Sequence, residues 1–179
     1  MRDAVAYRGA MNAHLNDLLD RTGETLRALP DLNSTALNAH PGGHPNSIAW
    51  LLWHTGREID VQLADLRGEE ELWTAAGHRD RLNLGEAGDG VGYGHTEEEA
   101  AAVRTDDQEG LTAYVAATLT TLREYADWVG GGQGHEWDDI IDENWDPPVD
   151  RGTRVVSLLI DAIQHLAQAQ YVAGAPELA

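Results

Sequence analysis

The sequence contains no cysteine among its 179 residues. This absence excludes disulfide bonds, a cysteine nucleophile and thiolate metal ligands. Histidine and carboxylate side chains are therefore the remaining strong candidates for binding a metal ion. Any thiol chemistry would need a thiol that a cofactor or co-substrate supplies.

Lysine is also absent, so the 12 basic residues are all arginine, against 31 acidic residues. The formal charge of −19 repels polyanions, and because no basic stripe overrides this field, nucleic-acid binding is not expected. Long apolar runs are missing as well, since Asp161 or His54 interrupts the best candidates. The N-terminal segment has polar residues where a signal peptide needs an apolar stretch. The sequence therefore predicts a cytoplasmic protein with no membrane partner.

Four long segments have the spacing of apolar residues that is typical of helices. They are predicted at about residues 3–29, from an N-cap at Asn46 or Ser47 to Arg67, from Asp106 to the glycines at 130–132, and at about 153–173. The connection over about residues 68–105 is long, and Thr96 and Glu99 predict a short helix within it. A chain of this length has room for one domain, over residues 1–179. The predicted fold class is all-α, a four-helix bundle with long crossover loops.

The last predicted helix carries an acid and an imidazole on an otherwise apolar face. Within LLIDAIQHLAQAQYVAG, Asp161 and His165 lie four residues apart and so share one helical face. His54 lies in the apolar segment WLLWHTGREID of the second helix. If these three side chains meet across the core, they form a divalent-metal site with open positions for water or substrate. Spacing alone leaves an alternative open, in which the histidines are hydrogen-bonded core residues and Asp161 pairs with an arginine such as Arg57 or Arg154.

The sequence resembles a known superfamily in three stretches, which are HPNSIAWLLWHTGREID, ENWDPPV and DAIQHLAQAQYVAG. This is the DinB-like (YfiT-type) superfamily of metalloenzymes, which includes the metal-binding domain of mycothiol-dependent maleylpyruvate isomerase. The resemblance covers most of the chain and implies an up-down-down-up four-helix bundle. It also implies one metal ligand from the second helix and two from the last helix, which fall on His54, Asp161 and His165. Many relatives have histidine at the position of Asp161, and the isomerase branch has glutamate there.

Three further residues are candidates for binding a substrate or a thiol cofactor. Arg57 could bind an anionic group through its fork of donors, although a surface ion pair is the ordinary role of arginine in an acidic protein. Trp145 precedes a double proline, where it either lines the mouth of the pocket or plugs the end of the bundle. Gln168 shares the face of the two predicted ligands in the last helix and could hydrogen-bond a metal-bound water. Surface positions are expected for the loop histidines, of which His44 could lie near the site; they are His40, His44, His78, His95 and His135.

The resemblance implies an enzyme that acts on a small-molecule substrate. We expect a divalent metal and a low-molecular-weight thiol such as mycothiol, used in an S-transferase or isomerase reaction. Zinc is the expected metal, with nickel and iron as alternatives. Two other functions stay open, which are hydrolysis by a metal-bound hydroxide and a non-catalytic role in binding a metal or ligand under stress. A homodimer is also expected.

Overall fold

The structure, a computed structural model, describes residues 2–132 and 134–175. This part is mostly helical, which confirms the predicted all-α fold class. The α-helices are α1 (Arg2–Arg27), α2 (Ser34–Leu37), α3 (Ile48–Arg67), α4 (Leu72–Ala75), α5 (His78–Leu82), α6 (Glu97–Ala102), α7 (Gln108–Gly130) and α8 (Arg151–Ala173). Two short antiparallel strands, β1 (Ile140–Asp142) and β2 (Val149–Asp150), and 3-10 turns at Pro41–Gly43 and Gly85–Gly88 complete the list. None of the helices in the described part is both long enough and apolar enough to cross a membrane.

The predicted caps of α3 and α6 are confirmed. The hydroxyl of Ser47 accepts a hydrogen bond from the backbone N–H of Trp50 at 3.1 Å, which fixes the first turn of α3. Gly68 ends this helix with a φ of 64°, a left-handed conformation that glycine adopts without steric cost. In the long connection, Thr96 and Glu99 form the capping box at the start of α6.

Other helix ends differ from the prediction by one or two residues. The N-cap of α7 is Asp107 and not Asp106, because the Asp107 carboxylate accepts a hydrogen bond from the backbone N–H of Gly110 at 2.7 Å. The last helix begins earlier than predicted, at Arg151, because Asp150 supplies its N-cap in the same way. The sequence alone does not show which of two neighbouring aspartates caps a helix, because helix ends are defined only to within one or two residues.

The four long helices surround one hydrophobic core. α3 packs against α7 and α8, and α1 packs against the same two helices, whereas α1 and α3 scarcely contact each other. Every residue of α3 from Ile48 to Arg57 is buried. Gly56 permits the close approach to α7, since a Cβ there would lie 2.5 Å from the ring of Tyr114. This packing holds His54 in the interior of the protein.

Candidate metal centre

His54, Asp161 and His165 lie together between α3 and α8. The Nε2 atom of His54 is 3.9 Å from Asp161 Oδ2, and the Nε2 atom of His165 is 3.4 Å from Asp161 Oδ1. One possible ligand atom from each residue lies within 4.8 Å of the other two. The structure thus brings together the three side chains that the sequence singled out, and they are called the His–Asp–His site below.

Hydrogen bonds determine which nitrogen of each imidazole faces the carboxylate. His54 Nδ1 bonds to the carbonyl oxygen of Val91, and His165 Nδ1 bonds to Gln168 Oε1 at 2.9 Å. Since both partners are acceptors, each Nδ1 carries the proton and donates it. Both Nε2 atoms keep a lone pair on the side of Asp161, which is the arrangement usual for metal-binding histidines.

Asp161 is the member of the site that protein groups leave unsatisfied. Its Oδ2 atom is buried and has no hydrogen-bond partner among the described residues. The alternative in which Asp161 pairs with an arginine is wrong, because Arg57 pairs with Glu71 and Arg154 pairs with Asp142. A buried carboxylate oxygen without a partner is costly, whereas a divalent cation would be bound by this oxygen and the two imidazoles together. The donor set therefore fits such a cation.

The surroundings shift the pKa values of the two histidines in opposite directions. Burial lowers the pKa of His54 by more than the hydrogen bond to Val91 raises it, and the nearby His165 lowers it further. Burial also acts to lower the pKa of His165, but hydrogen bonds with Asp161 and Gln168 outweigh it, so this pKa lies above its ordinary value. In the metal-free protein His165 therefore takes up a proton first, while His54 stays neutral and available as a ligand.

Glu58 is a further titratable group near the site, and the sequence reasoning missed it. It lies one turn after His54 in α3, the same spacing that separates Asp161 from His165 in α8. Burial raises the pKa of its carboxyl group, and the charge of Asp161 raises it further. Gln62 donates a hydrogen bond to this carboxylate. The four-residue spacing from His54 was a signal that could have identified Glu58.

The long connection between α3 and α7 covers His54. Besides the carbonyl of Val91, this cover includes Gly92, whose φ is 91° and where a Cβ would lie 2.9 Å from His54 Nδ1. Only glycine fits so close to the imidazole in that conformation. On another side, the ring of Trp50 stacks on His54 with centroids 4.6 Å apart. The contact with Trp50 follows from its position four residues before His54 in α3, whereas no local sequence pattern predicts the contacts with Val91 and Gly92.

Two of the loop histidines are not the surface residues that the sequence predicted. His95 is half-buried, with its ring stacked on Trp53 at a centroid distance of 5.6 Å and its Nδ1 accepting from Trp50 Nε1–H at 3.2 Å. His78 begins α5 and packs against the ring of Tyr114, with centroids 4.7 Å apart. Both histidines are partly buried for the same reason, because large aromatic rings of α3 and α7 present apolar surfaces to the connection.

Arg57 pairs with carboxylates of the protein, as expected for arginine in an acidic protein, but the pair is buried and not at the surface. Its guanidinium is 3% exposed, with Nη1 2.7 Å from Glu71 Oε2 and 3.8 Å from Asp60 Oδ2. Its Nε donates to the carbonyl oxygen of Gly90 at 2.9 Å. Arg57 thus anchors the connection that covers His54, and its binding of an anionic ligand stays a prediction.

Trp145 does not plug the end of the helices. Its side chain is 65% exposed between β1 and β2, whereas Trp137, earlier in the same connection, is 1% exposed. The reason is that the residues around Trp145 are themselves exposed and offer it no core to enter. No hydrogen bond or aromatic contact joins Trp145 to the His–Asp–His site among the described residues. Its place at a pocket mouth stays a prediction.

Gln168 lies where the site meets a cavity of about 980 Å³. Its Oε1 is bonded to His165, so in this structure it orients a candidate ligand, a role different from the predicted bond to a water. The same cavity is lined by His44, which agrees with its expected position near the site. Gln168 thus both lines the cavity and bonds a candidate ligand, whereas His54, Asp161 and His165 are not among the described residues that line it.

A conserved protein from Enterococcus faecalis, known from a crystal structure, is similar to this chain over almost its whole length. The two are 32% identical and share the fold with a TM-score of 0.72, over 92% of this chain and 93% of that one. No family model and no curated protein matches the chain. The similarity therefore relates two whole chains and is not limited to a shared segment.

Proposed function

The chain belongs to the same family as the conserved Enterococcus faecalis protein, and from that premise we propose that it is a divalent-metal-binding enzyme. The enzyme uses a low-molecular-weight thiol in an S-transferase or isomerase reaction on a small molecule. His54, Asp161 and His165 are the metal ligands. The chain is then a member of the DinB-like superfamily, as its sequence resemblance implies.

A DinB-like four-helix bundle is the proposed architecture. It is supported by the packing of α7 and α8, each of which contacts both α1 and α3. Such packing is expected if α1 and α3 occupy opposite corners of a four-helix bundle. The connection between α3 and α7 is long, as two consecutive helices that run in the same direction require. Assembly into a homodimer stays a prediction that light scattering would test.

The observation that carries the proposal is the Asp161 carboxylate between the Nε2 atoms of two imidazoles, with an Oδ2 that has no hydrogen-bond partner among the described residues. Two histidines and one carboxylate are the protein ligands of several catalytic zinc sites and of non-haem iron oxygenases. Both kinds of site keep positions open for a substrate or water. We propose zinc as the metal, with nickel and iron as the alternatives that metal analysis decides.

The thiol in the proposal is an external one, because the chain has no cysteine. A divalent ion would hold a coordinated thiol or water in its deprotonated form at neutral pH. The chain's own residues would orient the ligands through Val91 and Gln168 and exclude water on the side of Trp50. The cavity beside Gln168 would admit the small-molecule substrate.

The first test is metal analysis of protein purified without added ions. We expect about one divalent ion per chain, since one chain supplies all three ligands. His54→Ala and His165→Ala should each lose the ion. His135→Ala is the matched control and should keep it, because His135 belongs to a different cluster. Full occupancy in both ligand variants would overturn the site.

The second part of the test adds a panel of thiols to cobalt-substituted protein. Thiol binding at the site should produce a sulfur-to-cobalt absorption band that is absent from the His165→Ala variant. Turnover of an electrophilic substrate should depend on the thiol. Turnover without any thiol would instead identify a hydrolase, and metal binding without turnover would identify a binding protein.

A further inference from the structure

A groove beside the His–Asp–His site runs between the C-terminal half of α8 and the segment that precedes α3. Its volume is about 980 Å³, which is at the upper end of the range for small-molecule sites. Leu51, Ala167 and Val172 contribute apolar surface, and the largely exposed ring of Tyr171 stands at its edge. This cavity is called the α8 groove below.

The α8 groove has no charged side chain in its lining. Charged residues make up 24% of the sequence, yet none is among the described residues that line the groove. Arg57, which the sequence offered as the binder of an anionic group, is buried and paired with Glu71. The lining residues that the structure describes therefore present no counter-charge to an ionic ligand.

Polar side chains in the groove are hydrogen-bonding groups. His44 Nδ1 accepts a hydrogen bond from the backbone N–H of Asn46 at 3.2 Å, which leaves Nε2 as the ring nitrogen that can bond a ligand. Gln168 Oε1 accepts from His165, while its amide NH₂ group has no partner within the described part of the chain. Gln164 adds a second amide. These groups suit the carbonyl, amide or hydroxyl oxygens of a ligand.

The α8 groove is joined to the candidate metal centre by one side chain. Gln168 lines the groove with part of its amide and bonds His165 Nδ1 with the rest, at 2.9 Å. A molecule bound in the groove and hydrogen-bonded to Gln168 would lie within one residue of the candidate ligands. The groove is thus placed to hold the body of a molecule whose reactive end reaches the site.

We infer that the α8 groove binds an uncharged small molecule, with an apolar body and hydrogen-bonding oxygens, and that it discriminates against anions. This inference rests on the proposed function in one respect, which is that the bound molecule lies beside a metal ion. The discrimination has a simple physical basis, because a carboxylate moved from water into an apolar groove loses hydration and finds no cation to compensate it. A neutral amide loses much less and regains hydrogen bonds.

The test uses metal-free protein and two probes of equal shape, benzamide and benzoate. Ligand-observed NMR should show benzamide binding at least about tenfold more tightly than benzoate, which corresponds to about 1.4 kcal/mol. Gln164→Arg adds a cation within the groove and should reverse or abolish this preference. Ala75→Arg is the matched control, because it adds the same charge at an exposed position in α4, outside the groove. It should leave the preference unchanged.

Equal affinity for the two probes, or tighter binding of benzoate to the unmodified protein, would overturn the inference. Binding of neither probe at millimolar concentration would also overturn it, because the groove would then not be a ligand site. An equal response of Gln164→Arg and Ala75→Arg would assign the preference to the net charge of the protein. Since no metal is present in this experiment, its failure is distinct from failure of the metal analysis.

Discussion

Two regions of the molecule contain a histidine and an aspartate four residues apart, and they differ in what compensates the negative charge of the aspartate. One is the His–Asp–His site. The other is the Arg151 cluster, made of Tyr125, His135, Asp139 and Arg151. In the cluster, His135 Nδ1 is 3.9 Å from Asp139 Oδ2, a separation like that between His54 and Asp161.

The Arg151 cluster contains its own cation. Arg151 is nearly buried, and its guanidinium donates to the hydroxyl of Tyr125, to His135 Nδ1 at 3.3 Å and to Asp139 Oδ2 at 3.5 Å. The backbone N–H of Glu136 also donates to Asp139, at 2.9 Å. Asp139 Oδ2 thus accepts from two donors of the protein, one of them a cation.

The His–Asp–His site has no such cation among the described residues. Arg57 and Arg154, the arginines that could have served it, are bound to other carboxylates, and Asp161 Oδ2 is left without a partner. A histidine and an aspartate at four-residue spacing therefore do not by themselves define a metal site. What separates the two regions is whether the protein already supplies the positive charge.

The largest expected effect comes from removing the built-in cation. Arg151→Met should lower the free energy of unfolding by about 2 kcal/mol, because charged hydrogen bonds to Tyr125 and Asp139 are lost from a nearly buried position. Asp161→Asn in the metal-free protein should change it by less than about 1 kcal/mol, since Asp161 is partly exposed and pairs only with histidine. Urea unfolding with a chelator present measures both. If Asp161→Asn proves the more damaging of the two, the distinction between the regions is wrong.

Sequence patterns predicted the helices that carry the site better than the residues that surround it. The α3 and α8 segments, and the spacing of Asp161 and His165, follow from helical periodicity, which is local in the chain. The partner of His54 could not be predicted in this way, because Val91 approaches it through a connection of irregular path. Arg57 was misjudged for a related reason, since its partners Glu71 and Gly90 lie in that same connection.

A smaller effect is expected from the residue that orients His165. Gln168→Ala should weaken metal affinity by about tenfold, or about 1.4 kcal/mol, because the hydrogen bond that fixes the tautomer and ring of His165 is lost. Gln164→Ala is the matched control, since Gln164 lines the same groove and has no bond to the ligand. Competition with a zinc-binding dye gives both affinities. An equal loss in the two variants would mean that Gln168 acts through the groove and not through His165.

The last effect concerns pH, and it is expected at the His–Asp–His site but not at Asp139 of the Arg151 cluster. Hydrogen bonds with Asp161 and Gln168 outweigh burial and raise the pKa of His165 above its ordinary value, so protons compete with a metal ion already near neutrality. Zinc affinity should therefore fall as the pH is lowered through this pKa, by about tenfold per pH unit for one displaced proton.

Asp139, the carboxylate of the Arg151 cluster, should not titrate in that range. The backbone N–H of Glu136, together with Arg151, holds the pKa of Asp139 below its usual range. A carboxylate with a lowered pKa stabilises the fold at every pH above its unfolded value, which is about 3.9, and this stabilisation is lost only as the pH falls through the lower, folded value. Between pH 8 and pH 6, calorimetry should thus show weakening zinc binding while the metal-free protein keeps the contribution of Asp139 to its unfolding free energy. Zinc affinity that stays constant over this range would show that His165 is not a ligand, because a ligating imidazole must release its proton to the solvent before the ion can bind.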